Sequence, residues 1–293
     1  AEAGLLLADL LLMRGRVEEA EGLARAAFER ATTQPAGALR LGRALLRRGR
    51  SKGAVRVLRT GYKADPEAHA VGVMLGRALL ERGDEKAARR VLEPMVQADD
   101  RQTYRTAGDL TAVGVAARLL GEIRFAFQAF DEAATLDPTA AAPLVELGLT
   151  ALERYDTVNA EKAFSQALKL RPGDPRALLG LARVEIEIAR TYDGALRHIA
   201  AVEEVDPRSP GAKRLRAVID ILGERPDEAL TTLKMVLADN PSDLEALSLV
   251  AAARDAQADR KGFEAALRKI RKVRKGYADV FTPVARFAER QNR

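Results

Sequence analysis

Arginine is the residue type in this chain best placed to do chemistry. Between positions 39 and 63 stand Arg40, Arg43, Arg47, Arg48, Arg50, Lys52, Arg56, Arg59 and Lys63 with no acid among them, a local charge of +9. A second run, residues 260–275, sets Arg260, Lys261, Arg268, Lys269, Arg271, Lys272, Arg274 and Lys275 against Glu264, for +7. The whole chain carries only +6, so everything else sums to −10. Two basic patches therefore sit on an acidic body. A guanidinium can grip a carboxylate or phosphate through two parallel N–H···O bonds, and polarity of this kind steers an acidic partner or orders self-association.

Other chemistry is poorly supplied. There is no cysteine, hence no disulfide, thiolate nucleophile or cysteine-held metal. His69 and His198 are the only histidines, too few and too far apart for a histidine metal cluster. No glycine-rich phosphate loop, HExxH pair or G-x-S-x-G elbow occurs. Acid pairs such as Glu18-Glu19 and Glu203-Glu204 are adjacent on helices and point to different faces, as solvated surface does. The expectation is a non-catalytic chain with no cofactor and no metal. Aromatics make up 4% with no tryptophan, poor material for stacking bases, so nucleic acid is disfavoured as a partner. No stretch approaches eighteen uncharged apolar residues, and the leucine-rich opening around Leu5–Met13 carries Asp9 and reads as a repeat helix rather than a signal.

The elements that must position the arginines announce themselves by repetition. Alanine returns at Ala20, Ala54, Ala88, Ala126, Ala160, Ala195 and Ala229, at spacings of 34, 34, 38, 34, 35 and 34, and a further 34 reaches Phe263. A period of that length means one supersecondary unit copied and stacked. Each unit reads as two helices. The first carries an apolar stripe with a small residue, as in Leu41-Gly42, Leu75-Gly76, Val113-Gly114, Leu147-Gly148 and Leu181-Ala182. Gly15, Gly49, Gly83 and Gly121 then make the turn, where a left-handed backbone costs glycine nothing. The second helix holds the recurring alanine and closes at Pro66, Pro138, Pro172, Pro207 or Pro241.

Thr135-Leu136-Asp137-Pro138, Lys169-Leu170-Arg171-Pro172 and above all Ala126-Phe127-Gln128-Ala129-Phe130-Asp131-Glu132-Ala133 resemble the tetratricopeptide repeat family. The resemblance covers the whole chain as eight helix pairs and a lone first helix at roughly residues 278–293. It implies an all-α fold, a right-handed superhelical solenoid of about eight repeats plus a terminal helix, with first helices lining a concave groove that binds peptides or partner domains. The expected groove residues are Leu39, Arg43, Leu46, Arg47, Val73, Arg77, Leu80, Arg118 and Arg183, with Val115, Val145, Leu149 and Leu152 on the same face. Arg268, Lys269, Arg271, Lys272, Arg274 and Lys275 form a secondary basic patch, mainly on a second helix outside the groove. The asparagine–lysine clamp by which some members hold a chaperone tail has no match, since its positions hold Asp9, Arg43, Arg77, Val115, Leu149 and Arg183.

Departures from the pattern carry expectations too. The spacing of 38 leaves Asp99–Tyr104 where a proline boundary belongs, read as a longer loop, or as a hinge dividing 1–100 (repeats one to three) from 101–293 within a single solenoid spanning 1–293. Glu185 and Arg216 occupy first-helix slots that are apolar or small elsewhere, which predicts a local register shift or a meeting of the two charges. The functional expectation is a scaffold or adaptor that binds an acidic or amphipathic peptide or partner domain around repeats two and three. The alternative is the recognition arm of a larger enzyme, a peptidase or transferase, because the last helix stops where earlier units turn. Self-assembly of basic ends on an acidic middle is a third reading. The composition suggests a bacterium; a cytoplasmic location is favoured, with periplasm or envelope as alternatives.

Overall fold

Apolar residues recur at helical spacing, while glycine and proline gather at the joints, so each unit folds as a pair of antiparallel helices. The computed structural model describes residues 2–97, 106–188, 191–278, 280 and 282–285. These contain sixteen α-helices and no strand. The pairs are α1 (Glu2–Met13) with α2 (Val17–Arg30), α3 (Pro35–Arg47) with α4 (Ser51–Ala64), α5 (His69–Glu81) with α6 (Glu85–Gln97), and α7 (Ala107–Leu120) with α8 (Ile123–Leu136). They continue as α9 (Ala141–Glu153) with α10 (Thr157–Leu170), α11 (Pro175–Ile188) with α12 (Asp193–Val205), α13 (Pro210–Leu222) with α14 (Pro226–Asp239), and α15 (Leu244–Ala256) with α16 (Arg260–Val273). The chain is a right-handed superhelical solenoid of tetratricopeptide type, each pair packed on the next.

The recurring alanines explain the close packing. All seven are at most 1% exposed. In all but the first unit, where Ala24 stands there, the residue four positions later is a large apolar one, and it fills the space left by the small residue of the first helix. A Cβ on Gly114 would lie 2.5 Å from the Phe130 ring, and one on Gly148 would lie 2.5 Å from the Phe164 ring. Gly42 and Gly76 take Leu58 and Leu92 in the same way, each 2.6 Å from an added Cβ. Where the small residue is Ala182 or Ala217, the partner in the second helix is Ile199 or Leu233. Interiors packed to crystalline density leave little room for a larger pair.

Joints are made with two devices. Gly15, Gly49, Gly83 and Gly121 have φ between 67° and 86°. Tyr155, Glu224 and Ala258 do the same duty at φ 58°, 59° and 55°, a conformation that L side chains tolerate poorly. At helix starts, the side chains of Thr106, Asp156, Ser209, Asp243 and Asp259 accept bonds from backbone N–H groups that the helix itself cannot satisfy.

The irregular units resolve differently from the sequence expectation. Arg216 stands seventh in α13, the slot that Leu41, Leu75, Val113, Leu147 and Leu181 hold in earlier first helices, so the register does not shift. Nor do the two charges meet. Arg216 donates to Glu203 at 2.6 Å, and Glu185 lies 3.5 Å from His198, both partners being on α12. The seventh unit has no extra residue; that residue falls in the α11–α12 joint, because Ala195 follows Ala182 by 13 positions where other units have 12. Asp99–Tyr104 lies outside the described residues. One apolar cluster nonetheless joins Val73, Leu92 and Met95 to Leu110, Val113 and Ala117 beyond it. Of the expected terminal helix, 282–285 forms a helical turn whose Val284 packs on the α13–α15 cluster; residues 286–293 lie outside the described set.

The superhelix is tight enough to touch itself. A Cβ at Gly15 would collide with Asp206 Oδ1, and one at Gly49 with Asn240 Oδ1. One at Gly83 would lie 3.4 Å from Arg274 Cγ. Each pair is 191 residues apart, so the inner turns of units one, two and three rest on the joints that close units six, seven and eight. Arg47 donates to Leu12 O at 2.7 Å and bridges the seam to Asp206, while Arg274 reaches Glu85 at 3.1 Å. One turn of the solenoid thereby encloses the concave wall.

Candidate partner-binding passage

Helical periodicity turns the ninth residue of each first helix toward the concave side, where the arginines among them reach the surface while Val115 and Ala252 are covered by inter-unit contacts. From the second unit onward these residues are Arg43, Arg77, Val115, Leu149, Arg183, Val218 and Ala252. Helical periodicity adds neighbours one turn away, and two cavities open between them. The first, about 600 Å³, is lined by Arg77, Leu80, Glu81, Arg118 and Arg176 on one side and by Arg214, Asp243 and Tyr277 on the other. The second, about 640 Å³, lies between the fifth and eighth units and is floored by Leu152, Ile186, Leu215, Val218, Leu222 and Leu249.

A single carboxylate organises the basic half. Glu146, with a side chain 4% exposed, receives Arg118 at 2.9 Å and a single bond from Arg176 Nη2, and lies 4.0 Å from Arg77. Burial would raise its pKa; Arg176, Arg77 and Arg118 together outweigh that and hold it low. Asp9 performs a similar service for Arg40 at 2.8 Å and Arg43 at 4.0 Å. The compensation is incomplete. Enclosure by the wall lowers the pKa of Arg77 despite Glu146, with Arg176, Arg118 and Arg43 adding repulsion. Arg43 is likewise depressed by desolvation, against the pull of Asp9, with Arg40 and Arg176 adding to it. Its side chain is nevertheless 46% accessible, so an anionic group entering here can reach it directly.

Asp243 and Glu245 stand on the opposite side, and Glu81 lies on the side of Arg77. Enclosure by the wall and the neighbouring Asp243 push the Glu81 carboxyl, itself solvent-accessible, up to about 7, with Arg77 opposing. Arg214 loses hydration, yet Glu245 at 3.0 Å and Asp243 at 2.7 Å raise its pKa overall.

The expected residues divide by environment. Arg43, Arg77 and Arg183 lie on the concave wall, and Arg183 makes no ion pair among the described residues. Arg47 is committed to the seam, and Arg118 is held by Glu146 and Glu153. Leu39, Leu46 and Leu80 are half-buried against the first apolar cluster. Val73, Val115 and Val145 are core rather than groove, because the inter-unit contact closes over them. In the secondary patch, Lys269, Arg271, Lys272 and Lys275 are exposed on or just after α16, and Arg268 stands 3.9 Å from Glu264. Arg274 departs from that patch: it turns inward to Glu85 and lies 5.7 Å above the Tyr277 ring. Sequence reasoning missed Glu146 and Arg176. The signal for Glu146 was present as a lone acid within Leu144-Val145-Glu146-Leu147.

Residues 46–282, most of the chain, match the family model described as protein kinase G tetratricopeptide repeat, and residues 1–26 match a tetratricopeptide repeat model. The chain belongs to the protein kinase G tetratricopeptide-repeat family. No curated protein matches it beyond that. Like other tetratricopeptide solenoids, this family member has structural neighbours of low identity. A chain of the APC/C hetero-tetramer Cut9-Hcn1 superposes with a TM-score of 0.67 at 15% identity, over 94% of this chain and 53% of the other. This chain thus spans about half the length of that neighbour. A tetratricopeptide repeat protein from Parabacteroides merdae gives 0.57 at 16%, covering 85% and 97%. The human IFIT1 dimer with m7Gppp-AAAA gives 0.55 at 17%, covering 86% and 67%. At these identities the likeness is one of fold.

Proposed function

We propose that this chain is a protein-interaction scaffold whose concave passage takes an acidic or amphipathic segment of a partner. The observation that supports it is the wall itself, where Arg43 and Arg77, each 4.0 Å from its carboxylate neighbour, stand among half-buried leucines. Apolar burial supplies most of the binding energy at about 25 cal/mol per Å², and the guanidinium forks select carboxylates. A protein segment is favoured over RNA, the ligand in the human IFIT1 structure, because the basic wall offers leucines between its arginines and few rings for stacking. The test is Arg43→Glu combined with Arg77→Glu in an affinity pull-down against the wild-type chain. Capture of the partner should be abolished with helicity unchanged by circular dichroism, and undiminished capture removes the passage from the model.

The family match supports a second reading, in which the solenoid is the recognition arm of a phosphotransferase. In that case the segment it holds is substrate or regulator of a linked kinase, and co-purification of kinase activity with the longer protein tests it. A purified full-length protein with no phosphotransfer to any of a panel of acidic peptides counts against it.

A further inference from the structure

The return of the coil joins on its outer wall two basic runs that the sequence keeps apart. In α4 the exposed Lys52, Arg56, Arg59 and Lys63 follow at spacings of four, three and four. They share one face, opposite the buried Ala54, Leu58 and Gly61, and the helix contains no acid. The repeat puts Lys86 and Arg90 at the same positions of α6, and Lys261, Arg268 and Lys272 at those of α16, all exposed. The seam sets α16 and α6 end to end, since Arg274 just beyond α16 donates to Glu85, the first residue of α6, at 3.1 Å. At 1.5 Å per residue the two helices run for about 40 Å along the coil, with α4 in the unit before α6. The acids of this strip are spoken for. Glu85 is taken by Arg274, Glu93 by Arg89 at 3.1 Å, and Glu264 lies 3.7 Å from Arg260 and 3.9 Å from Arg268. Asp65 and Asp84 accept backbone N–H groups, and Glu67 stands beyond the end of α4. Lys52, Arg56, Arg59, Lys63, Lys86 and Arg90 make no ion pair among the described residues. No large apolar side chain is exposed on α4, α6 or α16.

We propose that this strip docks the chain on an anionic lipid bilayer, through phosphate headgroups and without insertion into the acyl layer. A protein interface needs a desolvated apolar centre, and this surface offers none. Single-stranded nucleic acid needs rings to stack on, and no ring is exposed here. Charge alone is enough to hold a layer of phosphates. The shape of the wall selects a plane. A coil touches a flat surface along a line parallel to its axis, and α16 followed by α6 forms such a line. To either side the wall curves back, and there acids return as Glu18 and Glu29 in α2, Asp131 and Glu132 in α8, and Asp227 and Glu228 in α14. Curvature carries them away from the bilayer, where salt screens their repulsion. The concave passage faces inward and stays free, so this surface is independent of the function proposed above.

Sedimentation of the chain with phosphatidylcholine vesicles, with and without phosphatidylglycerol, tests this. Wild type should pellet with the anionic vesicles alone, and less so as salt rises. Each cation at an anionic surface strengthens partition about fivefold. Two variants separate the helices. One carries Lys52→Gln, Arg56→Gln, Arg59→Gln and Lys63→Gln in α4, the other Lys261→Gln, Arg268→Gln and Lys272→Gln in α16. Each should lower partition on the order of a hundredfold if one plane meets both helices. Helicity and melting temperature should hold, because every altered side chain is exposed. Arg43→Glu with Arg77→Glu should leave partition as it is; a comparable loss there would move the contact to the passage and overturn the proposal. Wild type indifferent to phosphatidylglycerol overturns it too. So does silence of either variant, because patches on different sides of the coil could replace one another. A short DNA duplex held more tightly than the vesicles in the same buffer would assign the strip to nucleic acid, which also overturns it.

Discussion

Arg47 and Asp206, 159 residues apart in sequence, form an ion pair that fastens the second unit of the solenoid to the end of the sixth. Nearest-neighbour stacking alone would leave those units independent. The pair therefore decides whether the superhelix behaves as an open spring or a closed coil. Arg47→Ala should leave helicity intact and increase the radius of gyration in small-angle scattering. An unchanged scattering profile would show that stacking alone fixes the pitch.

The seam can be separated from local backbone strain by comparing two glycines. Gly121 has φ 86° with nothing within 4 Å of an added Cβ, while Gly49 has φ 67° and faces Asn240 across the seam. Gly121→Ala should cost about 1 kcal/mol from the left-handed backbone alone. Gly49→Ala carries a similar strain and in addition forces Asn240 away. Urea denaturation of both variants checks this. Equal losses would mean the two turns of the coil do not press on each other.

Glu146 is the counter-charge for three arginines. Glu146→Gln keeps the shape and removes the charge, so the guanidiniums repel one another in a poorly solvated place. Loss of one partner from such a buried group costs about 3 kcal/mol. Because its pKa is lowered in the folded chain, the stabilisation it gives is present above the ordinary carboxylate range and fades as pH falls through the lowered value. The variant should therefore be least handicapped in acid, which thermal melts at pH 3 and pH 7 would reveal.

Glu81 behaves in the opposite sense. Its folded pKa, about 7, lies above the ordinary value for a glutamate. The folded chain holds that proton more tightly than the unfolded one, so the contribution is complete below the ordinary value and is lost as pH rises through 7. Glu81 is solvent-accessible at the wall, so screening reduces the effect to a few degrees of melting temperature at most. Glu81→Gln should flatten the fall in melting temperature between pH 5 and pH 8, and an unaltered slope would place the titration elsewhere.

Repetition made the fold legible. The alanine spacing located seven of the eight second helices directly, because a residue that vanishes into a tight helix crossing must be small; the eighth, with Phe263 in that slot, was located by the period alone. Arg43, Arg77 and Arg183 were placed on the concave wall by the same periodicity. The wall's electrostatics were not legible in this way. Glu146 and Arg176 meet from different units, and Arg47 finds Asp206 only because the coil returns, a consequence of pitch that no local pattern encodes. Glu185 and Arg216 misled for a related reason. A half-buried charge with a partner on the preceding or following helix needs no change of register.

The constant offset between Gly15 and Asp206, Gly49 and Asn240, and Gly83 and Arg274 has an evolutionary consequence. Duplication or loss of one whole unit inside the array would preserve the shape of the coil, since every unit makes the same joint. It would also slide one edge past the other by one step: loss would set Arg47 against Asn240, gain would set it against Arg171, and either would leave Asp206 without its cation. Unit number and edge chemistry are thus inherited together. A unit can be inserted between the contacting edges without loss of the seam only if both sides of the contact are rewritten at once, whereas a unit added at an end leaves it untouched.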